Sequence, residues 1–575
     1  MGVSPVVFET AGQRTQHYIP GVYTRNAFIK GSGGGVSANV GVILGPSKGG
    51  TPDTLLQFAS PSEAKATLLD GDLLRGVYFA FNPGASLVPQ YVYAMRINAG
   101  SQSSGTMKDS VPAIQISLTS VDYGVHTNSI SRKFEAGSTL GTYKITIKYG
   151  NTDTESWDDI THPSFSVQYT GSGTACVMTL TTSGITTTVD SVADQSISFD
   201  TYTTVQDLVD YINTLTNYQA TLVTGDGSEK TVELDTVTSS DIKTAAYTVH
   251  ADLMEIIDTI NQSAYVTAAH PSATTTRIVP AVDTAYVYLS GGTSGTQTST
   301  DYENALTALE TEDASMIATT STDEAVHLLI QQHCESMSGT TGKHERMFWV
   351  GGSSGETVAA TITRAKNLSS EYGNLCFPGF TAYDPVDTDN GISTWSCAMY
   401  ACKLIGQEMA VSVNEPLTNK QISVLSWEKT LTKTETEKLI AGGVTAGAKD
   451  DSGNFITVRA VTTYQGDLLQ KNERSMMREA LYMSKDFRAA FAGDIGRPQS
   501  AVDTGTISSV LKSKAVSWKN SGYIVKGTDH DLIWGITMTE DGDALFVEYH
   551  VYLTAPRNFI FGTANLHVLS ETVAL

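Results

Sequence analysis

The first spacing in the sequence that could do chemistry is Gly351-Gly352-Ser353-Ser354-Gly355, which satisfies G-x-S-x-G. Between a strand and a helix this is the context of a hydrolase nucleophile elbow, where a serine on a sharp turn needs an acid and then a histidine further along the chain. His530, His550 and His567 are available downstream, but none sits in a loop context that singles it out. The same residues carry a structural reading. Ser353 followed by Glu356 has capping-box spacing ahead of a helix through Val358, Ile362 and Ala365, and the glycines allow a sharp turn. The cap is the preferred reading. A serine hydrolase with a β-rich binding insertion is its rival.

The other candidates fail on spacing. Ser338-Gly339-Thr340-Thr341-Gly342-Lys343 lacks the first glycine of a phosphate loop, and His344 stands where a hydroxyl should hold magnesium. Gly31-Ser32-Gly33-Gly34-Gly35 follows no strand and lacks G-x-G-x-x-G, so it reads as a flexible connection. His327 and His333, with Cys334 beside the second, would face different sides of one helix and share no metal. The five cysteines, Cys176, Cys334, Cys376, Cys397 and Cys402, form no CxxC pair and read as buried free thiols in a reducing compartment. No catalytic, cofactor-binding or metal-ligating residue is therefore assigned.

The elements around these residues fall into three textures. From about residue 301 to 379, helices alternate with short apolar strands, which implies βαβ units and a mainly parallel sheet. Thr300-Asp301-Tyr302-Glu303 predicts a cap for a helix carrying Tyr302, Leu306 and Leu309, and Ser321 with Glu324 predicts another through Val326, Leu329 and Ile330. The predicted strands are Met316–Ala318, Met347–Val350 and Leu375–Phe377, with a helix from Glu356 to Leu368. Between about residues 100 and 280 the chain turns Thr/Ser-rich with period-two alternation, as in Tyr143–Tyr149 and Cys176–Leu180, interrupted by a helix from Val205 to Leu215. After Gly442-Gly443 come a strand from Phe455 to Val461, a long amphipathic helix from Glu473 to Phe491, and a hairpin of Ile533–Met538 with Leu545–Leu553 about Asp541-Gly542.

The 575 residues call for several cores in series, and a chain 40% apolar and 17% charged is globular with a largely uncharged polar surface. A formal charge of −23 repels nucleic acid and makes copies of the chain repel one another unless short-range contacts overcome it. The N-terminus shows no secretory pattern. The most apolar stretch, Ile392 to Val413, contains Lys403, Gln407 and Glu408 and reads as a buried helix and not a membrane span.

Taken in order, these segments resemble the contractile sheath family of bacteriophage tails, whose relatives include pyocins and type VI secretion sheaths. The matching residues run Tyr18-Ile19-Pro20-Gly21-Val22-Tyr23, then Val42-Ile43-Leu44-Gly45-Pro46 with Gly49-Gly50-Thr51-Pro52, then Asp122-Tyr123-Gly124-Val125-His126-Thr127-Asn128. They continue with Gly291-Gly292 ahead of Asp301-Tyr302-Glu303-Asn304-Ala305-Leu306, then Pro416-Leu417-Thr418-Asn419, Leu439-Ile440 with Gly442-Gly443-Val444, and Val458-Arg459 ahead of Thr462-Thr463-Tyr464. Across the β-rich insertion the resemblance fades.

The resemblance implies an α+β multidomain protein: an α/β sheath domain carrying β-rich inserted domains, and an α+β C-terminal domain with exchanged strand arms. The expected boundaries are an N-terminal linking arm at 1–25, the sheath domain at 26–103 and 284–440, the insertion at 104–283, a polymerisation domain at 441–556 and a C-terminal linking arm at 557–575. Pro20 and Pro556 are the places where strand pairing would stop, leaving Val3 to Thr10 and Asn558 to Leu569 as arm strands. The implied function is a non-enzymatic subunit, free of cofactors, that polymerises helically around a tail tube and contracts. Its implied partners are its own copies, the tube, the baseplate and the tail terminator, with no direct nucleic acid and no membrane insertion. Its implied place is the virion after assembly in the host cytoplasm. Besides the hydrolase, another β-rich virion component such as a fibre or baseplate protein stands as an alternative.

Overall fold

The computed structural model describes residues 6–10, 13–17, 39–84, 87–151, 153–223, 225, 227–564 and 566. The motifs at Tyr18–Tyr23 and Gly31–Gly35, His567 and most of the last ten residues lie outside these. The chain divides into two compact units, one built on residues 99–296 and one on residues 30–98 and 297–575.

The second unit is organised by an eight-stranded sheet. Its members are β1 (Gly41–Gly45), β2 (Leu55–Phe58), β3 (Val92–Arg96), β4 (Met316–Thr319), β5 (Met347–Gly351), β6 (Gly373–Phe377), β7 (Val444–Lys449) and β8 (Phe455–Arg459). They lie in the order β8-β7-β6-β5-β4-β1-β3-β2. Pairing is parallel from β7 through β3, and only the outermost strands β8 and β2 run antiparallel. Every residue of β1, β4, β5 and β6 is buried, as a parallel sheet with both faces covered requires. The covering helices are α1 (Asp72–Phe81), α2 (Ser299–Ala308), α3 (Glu324–Ser338), α4 (Val358–Leu368) and α5 (Cys397–Met409).

Helix α5 is buried at all its positions, Lys403, Gln407 and Glu408 included. Lys403 donates to the Asn82 carbonyl at 2.7 Å and lies over the rings of Phe79 and Phe380, and burial pushes its ammonium down to about 7. No helix among the described residues is long and apolar enough to cross a membrane.

Beyond the sheet, α6 (Arg474–Phe491) and α7 (Thr504–Asn520) lead to the hairpin β9 (Trp534–Asp541) and β10 (Ala544–His550). Met483 of α6, with Ile507, Leu511, Ala515 and Trp518 of α7, forms a core of its own that the inner face of the hairpin covers. Asp541 pairs with Ala544, so the two loop residues are Gly542 and Asp543 and not Asp541 and Gly542. Gly542 has φ +63°, the left-handed conformation such a turn favours for glycine.

The unit at 99–296 is antiparallel throughout and has two lobes with separate cores. One lobe contains strands Ile130–Ala136, Tyr143–Tyr149 and Asp153–Ile160 with the helix Asp252–Ile260, and the other runs from Pro163 to His250 with the helix Val205–Ile212. At the N-terminus, Val6–Thr10 pairs antiparallel with Gln13–His17, so this segment is a hairpin and not a lone strand.

All three expected capping boxes move. At α2 the cap is Thr298, reciprocated by Asp301, two residues ahead of Thr300. At α3 Asp323 takes the cap, and Ser321 accepts instead from the Asp323 amide. At α4 the helix starts at Val358 under Thr357, whose hydroxyl accepts from the Ala360 amide at 3.2 Å. Ser353 is left in the preceding loop. At α3 and α4 a better-placed oxygen lies closer to the first helical turn, whereas at α2 the helix starts one residue before Thr300, which places that residue inside the first turn. Removing the cap with Thr357→Ala should speed hydrogen exchange of the α4 amides by roughly 2- to 30-fold, the equivalent of about 0.5–2 kcal/mol. Ser353→Ala should leave the same amides unchanged. Equal effects of the two would contradict the assignment.

Candidate assembly site

The geometry of the C-terminal part depends on how α6 is fixed. Arg474 and Arg478, one turn apart, both reach Glu408 of α5. Arg474 donates through Nε to Glu408 Oε1 and through Nη2 to Oε2, each at 2.7 Å, and Arg478 Nε lies 3.3 Å from Oε1. The indole of Trp349 on β5 donates to Oε2 at 2.6 Å. Arg474 also donates to the Phe348 carbonyl and to Asn374, and Arg478 to Asn39. All three charged side chains are buried. Burial alone would raise the Glu408 pKa, but the two guanidiniums outweigh it and hold the carboxyl below its usual range.

Farther along α6, Lys485 pairs with Asp313 at 2.7 Å and Arg488 pairs with Glu345. On the side facing α7, Asp486 accepts from Lys514 and from the Trp518 indole, both at 2.8 Å. One helix is therefore tied to the sheet by its first turns and to the C-terminal core by its later ones.

That core presents the hairpin with alternate residues outward. Thr537, Phe546, Glu548, His550 and Tyr552 are exposed, while Ile536, Met538, Leu545, Val547 and Tyr549 face inward. Among the described residues no third strand pairs with β9 or β10. Their outer edges keep free main-chain donors and acceptors. After Thr554 the chain forms no further strand in the residues described. Asn558 donates to Glu473, Phe559 covers Arg459, and Phe559, Ile560, Phe561 and Leu566 are exposed. A cleft of about 690 Å³, lined by Arg459, Tyr464, Asn472, Asn558 and Phe559 among others, opens beside this segment.

The residues with possible chemistry are not assembled into a reaction centre. Ser353 Oγ donates to Thr322 Oγ1 at 3.1 Å. Of the histidines the hydrolase would use, His530 and His550 stack on Trp534 in the C-terminal part. The glycine pair before Ser353 serves packing. A Cβ on Gly351 would lie 2.1 Å from the Cys397 carbonyl carbon, and one on Gly352 would strike Glu356. The Ser338–Lys343 stretch follows the C-terminus of α3, whereas a phosphate loop precedes the N-terminus of its helix. His327 and His333 are both buried and both pushed down to about 4 by burial, with Arg346 donating to His333 at 2.8 Å. All five cysteines are free and buried. No cluster of candidate metal ligands occurs among the described residues.

The buried triad missed in the sequence had a signal: Glu408 was visible as an acid in an apolar helix, and Arg474 with Arg478 as a one-turn pair in an amphipathic one. Glu408→Gln would leave two buried guanidiniums without their counter-charge, at a cost of about 3–5 kcal/mol. Because the folded pKa of Glu408 is depressed, its contribution is present above its ordinary value of 4.5 and lost as pH falls through the lower folded value. Thermal melting should show a large loss in E408Q at pH 7 that narrows in acid. A melting temperature equal to wild type would contradict the triad's role.

The chain was compared with known proteins. Residues 295–463 match the model of the phage tail sheath protein central domain. The tail sheath protein of Bacillus phage SP01 is 25% identical over 96% of this chain and 95% of its own length. The putative tail sheath protein of Enterococcus phage phiEF24C is 25% identical over 76% of each chain. Among solved structures, the sheath tail protein of Desulfitobacterium hafniense has TM-score 0.53 at 14% identity, covering 93% of this chain and 96% of that one. The sheath tail protein of Listeria innocua has TM-score 0.51 at 14% identity, covering 90% and 96%. Residues 295–463 thus match a phage tail sheath central domain, and over nearly its whole length the chain is similar to phage tail sheath proteins and shares the fold of sheath tail proteins.

Proposed function

We propose that copies of this chain polymerise helically around a tail tube, joined by strands exchanged at the C-terminal part, and that the polymer contracts to drive the tube through the host envelope and deliver the genome. The observation that carries this reading is the hairpin β9–β10, a sheet of only two strands held rigidly by α6 and open at both edges among the described residues. An extended segment from another copy would add its main-chain hydrogen bonds there. The exposed run Phe559-Ile560-Phe561 is the kind of apolar segment such an edge accepts.

Charge supports the same division of contacts. A formal charge of −23 opposes close approach of copies and of nucleic acid, so cohesion in the polymer has to come from short-range pairing. Units with their own cores can then move as rigid bodies while main-chain links persist. In this reading the baseplate and a terminator bind the ends of the sheath, assembly occurs in the host cytoplasm, and the unit at 99–296 lies outside the lattice contacts.

Removal of residues 1–17 or of residues 560–575 should leave circular dichroism and thermal melting close to those of the full chain, because in this reading both segments serve as links between copies. Electron microscopy should then show tubes for the full chain and none for either truncation. Normal tubes from both truncations would contradict strand exchange.

A further inference from the structure

After its last strand pairing, Leu553 with Ile524, the chain leaves the C-terminal core through Thr554. The Thr554 amide donates to the Tyr523 carbonyl at 3.0 Å and its hydroxyl to the Gly522 carbonyl at 2.6 Å. Pro556 follows, with no main-chain donor to continue a strand, and the segment runs on without strand pairing. Among the described residues, a single hydrogen bond ties residues 555–564 to the rest of the chain: Asn558 Nδ2 donates to Glu473 Oε2 at 3.0 Å. The same oxygen accepts from Arg459 Nε at 3.1 Å, and the Arg459 guanidinium lies 5.7 Å from the centre of the Phe559 ring. Asn558 and Phe559 thus grip one ion pair, formed between the end of β8 and the residue that precedes α6. The hold is thin, because Glu473 is fully buried whereas Phe559 is 67% exposed, and it ends there, with Ile560 and Phe561 open to solvent.

We propose that Asn558 and Phe559 form a clasp that holds the C-terminal segment on its own subunit and delays its joining another copy, an autoinhibitory contact that rests on the polymerisation reading above.

A hydrogen bond to a charged group and a cation–π contact at an exposed ring are modest in themselves. Being intramolecular, they act at an effective concentration on the order of millimolar, so in dilute subunits each chain's own ion pair outcompetes another copy for the segment. The balance reverses where a sheet edge of another copy offers several main-chain hydrogen bonds at once against this one. Release costs little besides the clasp itself. Phe559 has little buried surface to lose, and Glu473 keeps its pairing with Arg459. Glu473 Oε1 is buried without a hydrogen-bond partner, and Asn558 lines the neighbouring cleft, so its departure lets water from the cleft reach that carboxylate.

Trypsin reads the clasp directly. Arg557 is exposed and adjoins Asn558, and its peptide bond has to be drawn free of the body to enter a protease. Cleavage of a transiently opened site follows the open population when reclosing is fast. The full chain, dilute enough to stay unpolymerised, would be digested, and the rate at Arg557 divided by that of a synthetic peptide of residues 550–564 carrying the same substitution. In Asn558→Ala this ratio should rise at least about tenfold, the worth of a hydrogen bond to a charged group. In Ile560→Ala, beside the clasp but outside it, the ratio should stay within about twofold of wild type. Light scattering, with electron microscopy to identify tubes, then reads the delay: N558A should shorten the lag before growth severalfold. A ratio no higher in N558A than in I560A would overturn the clasp, and a lag unchanged or lengthened in N558A would overturn its part in delaying assembly. Tubes absent from wild type and N558A alike would contradict the polymerisation reading and the delay with it, while the trypsin ratio still decides whether the segment is clasped.

Discussion

One buried carboxylate between two guanidiniums fixes the C-terminal part of this molecule on its sheet. Moving three charged groups out of water costs several kcal/mol per ion, and the cost is offset only where each lone pair finds a donor. Glu408 meets that condition: Oε2 receives Trp349 and Arg474, and Oε1 receives Arg474 and faces Arg478. An apolar contact would tolerate sliding of α6 along α5. This arrangement does not, because a shift of one turn, about 5.4 Å, would break every bond at once. The triad thus sets the register of α6 on the sheet, and through Met483, Asp486 and Phe487 that register carries over to α7 and the hairpin.

Much of the sheet was legible because its strands are buried on both faces. Met316–Ala318, Met347–Val350 and Leu375–Phe377 read as apolar runs between amphipathic helices, and they fall in the middle of the parallel sheet. The buried helix in the 392–413 stretch was legible for a different reason: its three polar residues are too many for lipid, and each finds a partner inside the protein. Strand β7 escaped notice because Gly447, which packs under the Trp427 ring, breaks its pattern. Helix α7 escaped because serine and β-branched residues lower its intrinsic propensity. Its Asp503 cap and the spacing of Ile507, Leu511, Ala515 and Trp518 carried the signal.

The shifted caps at α3 and α4 have a common cause. Ser353 and Glu356 have capping-box spacing, but Thr357 stands four residues nearer the helix, directly before its first residue. Ser353 sits where it does because β5 must pass close to the start of α5, which only glycine at 351 permits. A motif that has the spacing of a nucleophile elbow is thus explained by the packing of strand against helix. Long-range features, such as Glu408 meeting Arg474 and Glu473 meeting Asn558, depend on contacts between segments far apart. No local pattern encodes them.

The account makes the open edges of β9–β10 the points where copies join. An electron cryomicroscopy map of tubes formed by the purified full chain tests that most directly. The account predicts added strands from other copies hydrogen-bonded along the outer edges of Trp534–Asp541 and Ala544–His550, with the Glu408 triad intact. A map in which both edges face solvent, and copies meet only through side chains elsewhere, would contradict it.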